Sequence, residues 1–304
     1  MAILLGMFNG APFLRDQLES IGRQTHRNWT LHIRDDGSRD DSIDVAKCFA
    51  ATMPGRDIRI DRGAHRGFAR NFLTLLGAVP MDADAVAFCD QDDVWLPGKL
   101  THALTQLAQI PEGRPALYCG RTILTDRALS PIGASPEFTR PPSFRNALVQ
   151  NIAGGNTMVM NRAALDLARI SADYRGPIPA HDWFIYQLVT GADGTVIYDR
   201  APQVLYRQHG GNLIGANQGM VARLRRIAAL SGGQFQRWSD QNLDALGAVS
   251  PLLTPDNREI LDRFRGLRAS RPAARLRELA QTGLHRQTRC GNAALWMAAA
   301  LGKI

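Results

Sequence analysis

Two hydrophobic periods alternate along the first two thirds of the chain. Residues 2–7 are almost continuously apolar, as in a strand buried on both faces. Asn9-Gly10 turns the chain, Pro12 can open a helix, and Leu14, Leu18 and Ile21 fall on one face of it. Trp29, Leu31 and Ile33 alternate with polar residues and predict a second strand. Ser38 to Asp41 offer N-caps for a helix with the stripe Ile43, Ala46, Ala50 and Met53. Ile58 and Ile60 predict a short third strand, Phe68, Phe72, Leu75, Leu76 and Val79 a third helix, and residues 85–89 a fourth strand. Repeated βα units predict an α/β fold, Rossmann-like, with a mostly parallel sheet and helices on both faces.

The middle of the chain is less regular. Residues 131–142 carry four prolines and read as a loop. Residues 157–160, 195–198 and 204–206 read as strands, and residues 162–169 and 181–190 as helices. From about Gly215 the pattern is helical only. This divides the chain into an α/β domain, residues 1–217, and a helical C-terminal region, residues 218–304. No internal repeat or low-complexity segment interrupts either part.

Charge sharpens the division. The net charge is +8, and residues 1–214 contribute none of it, with 22 basic and 22 acidic residues. Residues 215–304 hold 14 basic and 6 acidic residues. A basic appendage suits an anionic surface such as lipid, nucleic acid or a lipid-phosphate acceptor; a solvated helical face explains the charge equally well. Residues 293–301 form an apolar run containing Trp296 and Met297. At ~1.5 Å per residue the run is too short to cross a bilayer. Two expectations follow. The run lies in a membrane interface, with Arg223, Arg225, Arg226, Arg275, Arg277, Arg286 and Arg289 towards anionic headgroups, or it packs on the α/β domain or forms a homodimer contact. No apolar run reaches the ~18 residues of a membrane span. The apolar start lacks a basic leader, so it reads as a strand and not a signal peptide. The four cysteines show no paired spacing, which fits a reducing compartment. A cytoplasmic protein is expected.

Ligands of open α/β sheets bind beyond the carboxyl ends of the strands. Three acidic groups fall at such ends. Asp35-Asp36 follows the second strand, Asp90-Gln91-Asp92-Asp93 the fourth, and His181-Asp182 opens a later helix. Alone, Asp-Asp-Gly-Ser suits a turn with a helix cap, His181-Asp182 suits a helix N-terminus, and His209 before Gly210-Gly211 suits a surface loop. Three carboxylates within four residues directly after a buried strand are harder to dismiss, because like charges repel unless a cation or donors satisfy them. A hard divalent ion with oxygen ligands satisfies them most simply, and such ions commonly bridge to substrate phosphates.

The stretches FNGAPFLRDQLESIGRQT, IRDDGSRDDS, HRGFARNFLTLL, FCDQDDVWLPGKL, GGNTMVMNR, HDWF and YRQHGGNLIGAN, in that order, together resemble the inverting glycosyltransferases of family 2, with the GT-A fold. They span about residues 2 to 217, and the set is specific where no single member is. The pattern is similar to the rhamnosyltransferase-like branch. That resemblance implies dTDP-L-rhamnose as donor, with a UDP-linked sugar as the alternative, and a glycan or lipid-linked acceptor. It places Phe8 against the base, Asp36 on the pyrimidine N3–H, Arg70 near the nucleotide and Asp90 on the ribose or metal waters. It gives Asp92 to Mg²⁺ or Mn²⁺, places His209 on the diphosphate or that metal, and makes Asp182 the general base. The sequence departs from the pattern at Gly6, where a small polar residue is commoner, and in a short first strand that begins almost at Met1, which raises the expectation of an upstream start. An Asp-x-Asp phosphatase would carry its pair after the first strand and not the fourth. A non-catalytic nucleotide or nucleic-acid binder using the basic tail would not account for Asp92 or Asp182, and no basic–aromatic platform for stacking bases is present, so no nucleic-acid partner is expected.

Overall fold

A computed structural model describes residues 1–171, 173–210 and 233–304. The division expected at 217/218 lies outside them, as do Arg223, Arg225 and Arg226. The first half follows the expected alternation: β1 (Ala2–Met7), α1 (Ala11–Gly22), β2 (Thr30–Asp35), α2 (Ser42–Thr52), β3 (Ile58–Arg62), α3 (Phe68–Gly77) and β4 (Ala85–Asp90). The apolar run of β1 has a direct cause. Ile3, Leu5 and Met7 pack with Leu14, Leu18 and Ile21 of α1 on one face, while Ala2 and Leu4 pack with Phe72, Leu75 and Leu76 of α3 on the other. With both faces dry, no position in the strand favours a polar side chain.

The next elements are β5 (Val94–Trp95), α4 (Lys99–Leu107), β6 (Ala116–Gly120), β7 (Ile123–Thr125), β8 (Pro131–Ala134), α5 (Phe144–Ala147), β9 (Val159–Asn161), α6 (Arg162–Ser171), α7 (His181–Gly191), β10 (Thr195–Asp199) and β11 (Val204–Arg207). Seven strands form the main sheet in the order β10-β6-β9-β4-β1-β2-β3. All neighbours are parallel except β9, which runs antiparallel to both β4 and β6. A smaller sheet, β5-β11-β7-β8, lies beside it. The prolines at 131–142 suggested only a loop, yet its first residues form β8. This strand sits at a sheet edge and begins with Pro131, where a missing N–H is tolerated.

The chain order reverses between β1 and β4, whose ends align Gly6 with Asp90, while Met7 aligns with Asp35 of β2. This switch point gathers the loops that carry the candidate site. The caps expected at Ser38 to Asp41 are used differently. Asp41 is the N-cap of α2 but makes no side-chain cap bond. Ser38, Asp40 and Ser42 instead accept from the main-chain N–H groups of Asn9, Ala11 and Gly10, tying two loops together.

After residue 232 the described chain is helical: α8 (Gln234–Ala248), α9 (Pro255–Ala269), α10 (Pro272–Thr282) and α11 (Arg289–Ala300). Thr254 and Thr288 cap α9 and α11 by accepting from Asn257 N and Gly291 N. These helices share a core with the α/β part. Leu243, Leu246, Leu261, Phe264 and Leu295 cluster with Phe144, Leu148, Phe184 and Leu188. Of the apolar run at 293–301, Leu295, Ala298 and Ala299 are buried, while Trp296, Met297 and Leu301 are exposed. No described helix is long and apolar enough to cross a membrane.

Candidate active site

The site begins at the end of β1. Phe8 N donates to Gln91 Oε1 at 2.8 Å, and Gln91 Nε2 donates back to Phe8 O at 3.0 Å. Gly10 makes this reach possible, because a Cβ there would overlap the Gln91 carboxamide. Asn9 adopts a left-handed φ of 47°, and its side chain accepts from Arg39 N at 2.9 Å. The loops after β1, β2 and β4 are therefore one hydrogen-bonded frame.

On the β2 side of this frame, Phe8 is partly exposed with its ring 4.4 Å from that of His65. Asp36 is buried, and its carboxylate accepts from Arg66 N at 2.9 and 3.1 Å and from Gly67 N at 2.8 Å. His65 Nδ1 stands 3.5 Å from Asp36 Oδ2, so the carboxylate is enclosed by the β3–α3 loop. Arg70 donates to Tyr174 O and Gly176 O, both at 2.7 Å. Its guanidinium thus pins the loop before α7. A cleft of about 260 Å³ opens here between residues 66–70 and Pro177, Ile178 and Pro179.

The acidic centre lies at the end of β4. Asp92 Oδ2 is 2.7 Å from His209 Nε2, although 117 residues separate them. The Phe13 ring packs on His209 at 4.5 Å and keeps the imidazole at this edge. Asp93 is buried and accepts from Asn156 Nδ2 at 2.6 Å and Arg207 N at 3.2 Å. Burial pushes the Asp90 carboxyl up to about 8, with Asp92 and Asp182 adding to the rise. Asp182 is therefore within electrostatic reach of Asp90. It stands in the first turn of α7, where Oδ2 accepts from Gly155 N at 3.0 Å and Oδ1 from Trp183 N at 2.7 Å. Burial raises its pKa, and these amides together with Asn151 oppose the rise. Gly155 can approach because it lacks a side chain; a Cβ would meet His181 Nε2 at 2.9 Å and Asp182 Cβ at 3.3 Å. His181 is buried against Phe72, its rings 4.1 Å apart, and burial lowers its pKa to about 3, so it stays neutral.

Among the described residues, no group of three or more His, Cys, Asp and Glu side chains forms a metal cage. Asp92 and His209 together offer one carboxylate oxygen and one imidazole nitrogen at a partly exposed edge. A divalent ion held here would replace the Asp92–His209 hydrogen bond, taking both atoms as ligands and completing its shell with phosphate oxygens and water.

Residues 3–164 match the model of Glycosyl transferase family 2. The chain belongs to this family. It is 27% identical over 246 residues to the dTDP-rhamnosyl transferase RfbG of Shigella flexneri, covering 77% of this chain and 81% of that one. Its fold is similar to S. aureus TarS 1-349 in complex with UDP-GlcNAc, with a TM-score of 0.57, 12% identity and coverage of 99% and 90% of the two chains. It is also similar to the mannosyltransferase PcManGT of Pyrobaculum calidifontis in complex with GDP-Man and Mn²⁺, with a TM-score of 0.52, 17% identity and coverage of 99% and 86%. The architecture is GT-A-like with a helical C-terminus, and the protein is a glycosyltransferase. The phosphatase and non-catalytic readings fall away.

For this glycosyltransferase, the sequence did not single out Arg207. Its side chain is buried and donates to Asp16 Oδ2 at 2.6 Å, Arg127 O at 2.7 Å and Asp92 O at 3.0 Å. It thereby fixes the main chain on both sides of the Asp92–His209 contact. A lysine cannot span these three acceptors with its single ammonium. If Asp92 and His209 hold a divalent ion, Arg207→Lys should weaken apparent Mn²⁺ affinity by roughly 10- to 100-fold, because groups that orient metal ligands have effects of this size. Mn²⁺ titration of activity, with circular dichroism to verify folding, checks this; unchanged Mn²⁺ dependence in a folded variant refutes it.

Proposed function

We propose that this glycosyltransferase transfers L-rhamnose from dTDP-L-rhamnose, with inversion and with Mg²⁺ or Mn²⁺, to a hydroxyl of a glycan or lipid-linked acceptor. A UDP-linked sugar is the alternative donor. The reading places the enzyme in the cytoplasm, where nucleotide sugars are available. The observation that carries it is the Asp92–His209 contact at the end of β4, with the Asp182 carboxylate held by the Gly155 and Trp183 amides at the start of α7. The likeness to RfbG, a dTDP-rhamnosyl transferase, supports the donor.

In this mechanism Asp182 takes the proton of the acceptor hydroxyl. The freed oxygen forms a bond to the anomeric carbon, and the bond from that carbon to the diphosphate oxygen breaks with its electron pair leaving on the diphosphate. A β-L-rhamnosyl donor then yields an α-L-rhamnoside. The transition state resembles the oxocarbenium-like one of inverting glycoside hydrolysis. The amides of Gly155 and Trp183 hold the Asp182 carboxylate in place, while burial raises its basicity. A divalent ion held by Asp92 and His209 would act as a Lewis acid, neutralising charge on the departing diphosphate. Phe8 offers an exposed apolar face to the base, and the Asp36 carboxylate at the end of β2 is assigned to the pyrimidine N3–H.

Thermal-shift measurements with dTDP, UDP and GDP, each with and without Mn²⁺, test the donor assignment. The pyrimidine diphosphates should stabilise the protein more than GDP does, and Mn²⁺ should enlarge the shift. Stronger stabilisation by GDP would refute it, since guanine presents a different edge to Asp36. Release of dTDP from dTDP-L-rhamnose, compared with UDP from UDP-sugars, then separates the two pyrimidine donors.

A further inference from the structure

The outer face of α11 has no role in the catalytic site. The helix is two-sided. Leu295, Ala298 and Ala299 face the shared core, which also buries the terminal Ile304. Ala293, Trp296, Met297, Ala300 and Leu301 are exposed, at the three- and four-residue spacing that makes one continuous stripe. Trp296, Met297 and Leu301 are 41%, 63% and 65% exposed. The other large exposed apolar side chains among the described residues are Phe8, Met81, Ile132 and Ile170, which are far apart in sequence. Scattered apolar residues are ordinary on a protein surface, but a contiguous group is not.

Charge identifies the partner. Residues 279–304 contain no Asp or Glu, while Arg286, Arg289 and Lys303 lie among them. Arg289 is exposed at the first residue of α11, and Lys303 follows its last turn, so positive charge brackets the apolar stripe. A second copy of the chain fits poorly. Two-fold pairing would bring like-charged ends near each other, and three large side chains supply far less than the ~1,200 Å² of a stable interface. An anionic bilayer fits both features, taking the apolar stripe into its acyl boundary and the basic ends against its headgroups. Tryptophan favours this depth because its ring is apolar and its N–H is polar. We infer that the outer face of α11 docks the enzyme reversibly on an anionic lipid surface. This inference does not depend on which sugar is transferred.

Deleting the helix is a poor test, because it removes Leu295, Ala298, Ala299 and Ile304 from the core. Surface substitutions in the full chain avoid that. Trp296→Ser, Met297→Ser and Leu301→Ser are combined in one variant, and Arg289→Gln and Lys303→Gln in a second. Each is sedimented with phosphatidylcholine vesicles with and without phosphatidylglycerol. Wild type should pellet only when phosphatidylglycerol is present, and less as salt rises. The apolar variant should lose roughly tenfold or more of its partitioning. The charge variant should lose most of its response to phosphatidylglycerol. Both should keep the wild-type melting temperature. Wild type left in the supernatant at low salt overturns the inference, as does equal binding by a folded apolar variant. So does a concentration-dependent dimer in analytical ultracentrifugation that the apolar variant abolishes, which would assign the stripe to a second copy.

Discussion

Replacing Asp182 with Asn should lower turnover by roughly 10²-fold or more while leaving donor affinity near that of the wild type. The substitution keeps the side-chain shape and removes the capacity to take a proton. Donor binding should survive because Phe8, Asp36 and the Asp92–His209 pair stand on other loops. Stability should change little. The asparagine oxygen can accept from only one of the Gly155 and Trp183 amides, and losing the other bond costs about 1 kcal/mol. Removing the negative charge near Asp90 partly offsets that loss. Product formation at saturating donor, alongside calorimetric titration with dTDP, gives the two quantities. Normal turnover with collapsed donor affinity would move Asp182 from the acceptor side to the donor side.

The part of the fold visible in the sequence is the part whose faces differ strongly in polarity. β1 and β4 show as apolar runs because helices cover both sides of them, and α3 shows as a stripe because only one of its faces meets the sheet. β5, β7 and β8 are two to four residues long, and such segments owe their conformation to their ladder partners. β6 is buried on both faces and carries an apolar run, Ala-Leu-Tyr-Cys, that was there to be read. In the site, Asp90 to Asp93 stand out because carboxylates follow a dry strand. Gln91 and Arg207 do not, since their importance lies in bonds to residues more than 80 positions away. Lys99 gives no local signal either. It reads as a surface charge at a helix start, yet it is fully buried with its ammonium 3.6 Å from the centre of the Trp95 ring. Asp36 was legible as a carboxylate at a strand end, but its commitment to the Arg66 and Gly67 amides depends on the path of the β3–α3 loop.

Asp92→Asn should reduce activity by about 10²-fold or more, because neutralising a departing diphosphate contributes several kcal/mol to the transition state. The variant should fold. Asp92 is partly exposed, and the carbonyl that Arg207 Nε holds belongs to its main chain and is unaltered. An amide oxygen is a much weaker ligand than a carboxylate, so raising Mn²⁺ should recover only part of the loss. His209→Ala tests the other half of the pair. Asp92 remains available there and Mn²⁺ can replace the imidazole with water, so a smaller loss, with apparent Mn²⁺ affinity down by about tenfold, is expected. A second readout keeps metal binding separate from chemistry. The extra thermal stabilisation that Mn²⁺ gives to the dTDP complex should disappear in Asp92→Asn and shrink in His209→Ala. Chelator should bring wild type to the level of the Asp92 variant in both measurements. Full activity in chelator, or an Asp92→Asn enzyme that turns over normally, would leave Asp92 and His209 as a hydrogen-bonded pair that only closes the β4 loop against β11.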